Sequence, residues 1–236
     1  MENWLERTIL LLGEEKVERL RNAHVLIVGV GGVGAYAAEM ICRAGVGRLT
    51  IVDGDVVNAS NINRQLVARH STIGQKKVDI LARRLLDINP DLKLEYRHEF
   101  LHDEITEQLL DEHAYDFIVD AIDTLSPKVH LMLAAKKRKI KIISSMGAGA
   151  RVDPSQVKLA DLSDTRECTL ARAVRKRLVK LGVRKGFPVV FSTEKPNEKA
   201  VLLTENERNK KSTVGTISYM PAIFGCFLAS YVIRKL

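Results

Sequence analysis

Cysteine is scarce in this 236-residue chain and badly placed for structural chemistry. Cys42, Cys168 and Cys226 form neither a CxxC nor a close pair. That argues against a disulfide framework and against a Cys-rich structural zinc site. The six histidines show no metal-ligand spacing either. The opening MENWLERTIL lacks the long apolar core of a signal peptide, so the cytoplasm is the expected compartment. Long apolar runs are also missing. The richest stretch, Ile217 to Ile233, is interrupted by Ser218, Pro221, Gly225 and Ser230. At the lower limit for a membrane span, it reads as a buried helix, and no stable membrane insertion is expected. Internal repeats and domain-separating linkers are absent as well.

What is present is an ordinary globular balance, 46% hydrophobic and 28% charged residues, enough for a sizeable core. The net charge of +8 is unevenly spread. Residues 166–186 hold eight Lys or Arg against a single acid. Such concentration fits an anionic partner such as nucleic acid, the bland alternative being a solvated helix face.

Residues 24–65 organise the chain. An apolar strand from Val25 to Val28 runs into Gly29-Val30-Gly31-Gly32-Val33-Gly34, then a helical pattern from Ala35 to Arg43, then a strand from Leu49 to Val52 that ends in Asp53. Glycines let the backbone turn tightly and approach phosphate, helix-start N–H groups face the anion, and the acid accepts from ribose hydroxyls. This motif by itself fits NAD as well as ATP.

Residues 3–21 read as one amphipathic helix with Leu10, Leu11, Val17 and Leu20 as buried positions, and Arg7 lies early in it. After Asp53 comes a long polar loop, followed by a helix from Lys77 to Ile88 that Asn89-Pro90 stops. A strand at 92–97, a helix at 103–112 and a buried strand at 117–120 follow. Ser126 caps a helix that reaches Lys139, and a further strand covers 140–145. The alternation predicts an α/β fold, a doubly wound, mostly parallel Rossmann-like sheet. Beyond residue 150 the pattern adds a strand at 157–160, a basic helix at 167–181 with Leu170, Val174, Leu178 and Leu181 inward, short strands at 189–192 and 200–203 that read as antiparallel, a polar mobile stretch at 204–216, and the C-terminal helix.

Asp53, Asp55, Asn61, Asn63, Arg64, Gln65, Lys77 and Asp123 all fall at the carboxyl edge of such a sheet. Arg64 and Lys77 would neutralise triphosphate charge, and Asp123 would hold Mg²⁺ with phosphate oxygens. Hydride transfer needs no such set, so ATP is favoured over NAD. Taken singly, each residue is better read as a surface salt bridge.

Together, Gly29-x-Gly-Gly-Val-Gly34, Asp53-x-Asp55, Ser60 to Gln65, Gly74-Gln75-x-Lys77 and Asp120-Ala-Ile-Asp123 resemble the HesA/MoeB/ThiF superfamily of adenylating enzymes, related to ubiquitin-activating proteins. The resemblance runs from Arg7 to the C-terminal helix. It implies a single adenylating domain over 1–236, with a nucleotide-binding core at 1–150 and a dependent substrate-side extension at 151–236. It also implies phosphate contacts at Gly29, Gly31, Gly32 and Gly34, a ribose contact at Asp53 beside Asp55, phosphate binding by Asn61, Arg64, Gln65 and Lys77, and an adenine-lining segment that includes Phe100 and Leu101. Asp123 becomes the metal acid, and ATP with Mg²⁺ the cofactors. Catalysis would rest on Arg64, Lys77, Asp123 and Arg7, the last reaching the neighbouring subunit's ATP in a homodimer. The implied chemistry is attack of a carboxylate on the α-phosphate, giving an acyl-adenylate and pyrophosphate.

Members that activate ubiquitin-like proteins usually carry two CxxC pairs, and this chain has none. Ser126-Pro127-Lys128, Gly147-Ala148-Gly149, Asp153 to Gln156, Asp161-Leu162 and Val190 to Glu194 resemble instead the branch that dehydrates threonylcarbamoyladenosine in tRNA. That branch implies tRNA as partner, with Arg172, Arg175, Lys176, Arg177 and Lys180 of the basic helix as tRNA-binding candidates, and a sulfur-transfer (cysteine desulfurase) system as an additional partner. Activation of a small ubiquitin-like sulfur carrier is the alternative. Cys42 and Cys226 read as core positions on helices, and no thiol relay is assigned to Cys168.

Overall fold

The computed structural model describes residues 4–207 and 210–236. Two short helices, α1 (Glu6–Leu12) and α2 (Glu14–Asn22), precede the alternating core. That core runs β1 (His24–Val28), α3 (Gly34–Arg43), β2 (Arg48–Val52), α4 (Lys77–Ile88), β3 (Lys93–Arg97), α5 (Asp103–Glu112), β4 (Phe117–Asp120), α6 (Leu125–Lys137) and β5 (Lys141–Ser145). Then come β6 (Val157–Asp161), α7 (Thr169–Lys180), β7 (Pro188–Ser192), β8 (Val201–Glu207), β9 (Lys210–Val214) and α8 (Tyr219–Lys235).

Seven strands form one sheet in the order β3-β2-β1-β4-β5-β7-β6. All neighbours are parallel except β6, which pairs antiparallel with β7. Central strands are apolar on both faces because helices cover both. Val25 and Ile27 of β1 face a layer built from α3, α4 and α8, whereas Leu26 and Val28 face α5, α6 and α7. The chain reverses direction across the sheet between β1 and β4, which opens a crevice above their carboxyl ends.

The C-terminal helix is part of that crevice's wall. α8 lies against α3 so closely that a Cβ on Gly225 would sit 2.5 Å from the Val33 carbonyl oxygen. Its first turn brings Pro221 against Gly32 of the glycine turn. Among the described residues no helix is long and apolar enough to cross a membrane.

Several expectations change. The single helix over 3–21 is broken at Gly13, whose φ of 81° places it outside the helical region. The break re-aims the first half: Leu10 and Leu11 are 88% and 81% exposed, while Val17 and Leu20 are fully buried. Helix α6 is capped at Thr124 rather than Ser126. Leu181 falls beyond the last turn of α7 and is exposed, and Cys226 points out of α8 to solvent. Strand β7 pairs with β5 and β6 rather than with the strand at 200–203. The stretch read as a polar loop pairs as an antiparallel ribbon, β8 with β9, in the register Val201 to Val214 and Leu202 to Thr213. Residues 208 and 209 of that stretch lie outside the described residues.

Candidate nucleotide site

The glycine turn is shaped by contacts that no side chain could tolerate. Gly29 has a φ of +84° and donates its N–H to the Val52 carbonyl oxygen at 2.8 Å, fastening the end of β1 to β2. A Cβ there would meet the Ala121 carbonyl oxygen at 2.8 Å, and one on Gly34 would come within 1.7 Å of the Gly29 carbonyl oxygen. The start of α3 is therefore pressed onto the strand ends, with no side chain capping its N–H groups. That is an anion site in waiting.

Asp53 locks the turn from the β2 side. Its Oδ2 accepts the Val30 N–H and its Oδ1 the Asp55 N–H, both at 2.7 Å. Burial pushes this carboxyl above its ordinary range, a shift that nearby Lys77 and the two N–H donors work against. The long loop after Asp53 doubles back on itself. Val57 N–H donates to Gln75 O, Gly74 N–H to Val57 O and Lys77 N–H to Asp55 O. That fold-back delivers Lys77 to the first position of α4, 4% exposed, with Nζ 2.8 Å from Asp55 Oδ2.

Arg64 reaches the same crevice from the other end of the loop. Its Nη1 donates to Ser60 O and Asn63 Oδ1, each at 2.8 Å. Burial lowers the guanidinium's pKa, and the charge of Asp123 counters this. Asn61 is buried, its Oδ1 accepting the Asn58 N–H at 3.1 Å, and Asn63 Nδ2 donates to Thr216 O. Gln65 lies beside Gly31 with a buried Oε1 that no protein donor reaches. An orphaned acceptor at a phosphate-shaped turn is what a site completed by ligand or water looks like. Phe100, two-thirds exposed, lies over Gly54, where a Cβ would fall 2.6 Å from its ring, and Leu101 follows it partly buried.

The fold thus gathers the glycine turn, Asp53, Asp55, Asn61, Arg64, Gln65, Lys77, Phe100 and Asp123 around one crevice. Arg7 is elsewhere. Leu5 packs on Gly45, beyond the end of α3 farthest from the glycine turn, and the ten residues of α3 span about 15 Å. On α7, Arg172, Lys176, Arg177 and Lys180 are exposed, but Arg175 turns inward, its Nη1 donating to Leu162 O, Thr165 O and Thr165 Oγ1. Cys168 is 5% exposed at the α7 N-cap, where its Sγ accepts the Ala171 N–H at 3.5 Å.

The ThiF family model matches residues 5–236 of this chain. The chain belongs to the ThiF family. Among its relatives is the Bacillus subtilis tRNA threonylcarbamoyladenosine dehydratase, 39% identical over 98% of this chain and 93% of that protein. The crystal structure of the Escherichia coli tRNA N6-threonylcarbamoyladenosine dehydratase, TcdA, in complex with ATP superposes with a TM-score of 0.89. It covers 100% of this chain and 95% of that one at 31% sequence identity. The Escherichia coli molybdopterin-synthase adenylyltransferase is 33% identical over 64% of this chain and 59% of that protein.

In this ThiF chain two further groups stand out that sequence reading left without a role. Lys128 and Asp120 form an ion pair of 2.7 Å with both side chains fully buried. Lys128 Nζ also donates to Ser144 Oγ and Ser145 O, while Asp120 Oδ1 accepts the Ile122 N–H at 3.0 Å. The pair therefore braces the 121–123 segment that carries Asp123. Its one sequence signal is an acid closing a buried apolar strand with a lysine eight positions on. Arg151, also buried, donates to the carbonyls of Gly147, Gly149, Glu167 and Glu194, tying the loop after β5 to the start of α7.

Proposed function

We propose that this ThiF chain is an ATP-dependent tRNA threonylcarbamoyladenosine dehydratase. The observation that carries the reading is the pairing state of the crevice's cations. Lys77 is held by a half-exposed Asp55 and Arg64 by neutral oxygens, so both can pass to the phosphates of a bound nucleotide without leaving a buried acid behind. The near full-length likeness to dehydratases sets the substrate class.

In this reading the threonine carboxylate of N6-threonylcarbamoyladenosine attacks the α-phosphate, and pyrophosphate leaves. Arg64 and Lys77 offset charge on the phosphorus oxygens and the leaving group, and the glycine turn orients the chain of phosphates. The carbamoyl group then closes on the activated carbon and AMP departs, so the modified base has lost one water overall and forms an oxazolone. The acceptor is intramolecular, so the step needs no enzyme thiol. Asp123 is the residue suited to hold Mg²⁺ alongside phosphate oxygens; the ion, when bound, adds charge neutralisation to that of the two cations. Gly225 of α8 lies against Val33 of α3 and Pro221 against Gly32, joining the residues beyond 150 to the nucleotide-binding core, which supports treating 1–236 as one unit.

We further propose a homodimer in which Arg7 completes the partner's site. Exposed Arg7 shares α1 with exposed Leu10 and Leu11, and cannot serve the crevice of its own chain from beside Gly45. A cytoplasmic setting follows from the substrates, and a sulfur-transfer (cysteine desulfurase) protein is proposed as an additional partner, testable by co-purification.

The test is pyrophosphate release with tRNA bearing threonylcarbamoyladenosine, beside unmodified tRNA and a ubiquitin-like protein with a Gly-Gly tail. Turnover only with the modified tRNA is expected. Adenylation of the Gly-Gly protein with no tRNA-dependent release would instead favour the sulfur-carrier branch.

A further inference from the structure

At the opposite end of the sheet from the nucleotide crevice lies a cavity of about 370 Å³ with no counterpart in the chemistry above. Four lysines line it, Lys136 at the end of α6, Lys139 in the following turn, Lys141 opening β5, and Lys235 at the end of α8, and no carboxylate does. Phe187 and Tyr231 form its floor. Lys136 Nζ lies 5.4 Å from the centre of the Phe187 ring and Lys235 Nζ 6.0 Å from that of Tyr231, so two of the ammonium groups are held over the floor rather than splayed into solvent. Lys141 Nζ donates to the Lys235 carbonyl oxygen, joining β5 to α8 across the cavity. Arg138, in the middle of the same basic run, is excluded because Glu107 and Asp111 occupy it. Nearby Lys16 is held below its ordinary pKa by burial, then by Arg19 and Lys141, as expected where positive potential accumulates.

We propose that this lysine-lined cavity is a second RNA-backbone site, seating a phosphate–ribose unit of the tRNA away from the nucleoside that is adenylated. The inference rests on the tRNA reading above. Three observations favour RNA. The four cations line one concave site whose own wall carries no Asp or Glu, the nearest acids (Glu15, Glu18 and Asp116) facing Lys141 from the neighbouring hollow, which leaves a net positive surface that suits phosphodiester. The cavity's volume matches a nucleotide-sized ligand. It is also continuous with α7, since the loop that leaves α7 carries exposed Arg184 and Lys185 and then supplies Gly186 and Phe187 to the cavity wall. An anionic membrane fits less well, because Phe187 is buried and Tyr231 partly so, leaving little aromatic surface to insert between lipids. The five residues of β5 separate this cavity from the crevice by roughly 13 Å along the strand, so one RNA can reach both without either contact including the other.

The experiment uses the full chain with Lys136→Glu/Lys139→Glu and, as the milder form, Lys136→Gln/Lys139→Gln. Both sites are exposed, and a thermal melt checks that folding is intact. We expect tRNA affinity, by fluorescence anisotropy, to fall about tenfold or more in the Glu variant and less in the Gln variant. The dependence of log Kd on log salt should become shallower by about 1.4 to 1.8, in line with two lost phosphate contacts. KM for modified tRNA should rise while kcat at saturation and ATP binding stay as in the wild type. Unchanged tRNA affinity and salt slope in a wild-type-like fold would overturn the cavity's role, with the functional reading intact because the wild type still turns over tRNA. Loss of binding to phosphatidylserine vesicles with tRNA affinity unchanged would also overturn it. A wild type that neither binds tRNA nor releases pyrophosphate with it would remove the functional reading and this inference together.

Discussion

Two lysine–aspartate pairs sit at the same edge of the sheet and do opposite work. Lys77 and Asp55 are 2.8 Å apart with the lysine buried and the carboxylate half open to solvent. Lys128 and Asp120 are 2.7 Å apart with nothing open. In the first pair the acid can be rehydrated at little cost when the ammonium turns to a phosphate. In the second, separation would strand two charges out of water, so the pair stays closed and acts as a brace under Asp123. Chemistry alone does not distinguish them; the exposure of the acid does. A functional cation in this fold is one whose partner can be released.

Replacing the two lysines should therefore give contrasting failures. Lys77→Ala should lower ATP-dependent pyrophosphate release by 10³-fold or more, in the range expected when a preorganised charge is taken from a phosphoryl-transfer site. Its denaturant midpoint should move little, since Asp55 is left hydrated. A Lys77→Ala protein with substantial activity would show that Arg64 suffices. Lys128→Met should do the reverse in order of severity, costing about 3–5 kcal/mol of stability in urea titration because Asp120 is left buried and unpaired. Adding Asp120→Asn to Lys128→Met should return a good part of that stability. If Lys128→Met alone unfolds no more easily than the wild type, the brace is not one.

The sequence made the sheet and its crevice legible because the information was local: apolar β runs ending in acids, glycines at a turn, and helices of regular period. It misread what depends on neighbours. Leu10 and Leu11 have the right period for burial, but Gly13 turns α1 away from the core, so period 3.6 gave the helix and not its covering. Arg175 reads as one more cation of a basic helix, but its guanidinium turns inward and donates to the carbonyls of Leu162 and Thr165. The Lys128–Asp120 brace is only faintly signalled for the same reason, because sequence shows charge but not whether water reaches it. Three lysines of the far cavity belong to one basic run, Lys136 to Lys141, and only the fold brings Lys235 of the C-terminal helix beside them.

A third buried base sharpens the comparison because its ring hydrogen-bonds a hydroxyl rather than a carboxylate. His24 opens β1, 4% exposed, its Nε2 2.9 Å from Thr50 Oγ1 and its ring against that of Tyr115, tilted by 52° with centroids 4.6 Å apart. Burial, helped by Arg48 and His113 and opposed by Glu95 and Asp116, lowers its pKa to about 4. Lys128 is buried against an acid, whereas the His24 ring is buried against a hydroxyl, and burial favours its neutral form. Because the folded pKa lies below the unfolded one, the unfolded chain binds the extra proton as pH falls. Stability is whole above about pH 6.5, declines between there and about pH 4, and levels off below. From pH 6.5 to 5 the loss from this one group should be about 1.5 kcal/mol. It is the smallest effect here and the cleanest, since His24→Gln should flatten that part of the stability-against-pH curve relative to the wild type. A His24→Gln profile parallel to the wild type over that interval would mean that water reaches the ring, and that only paired groups are sealed in this fold.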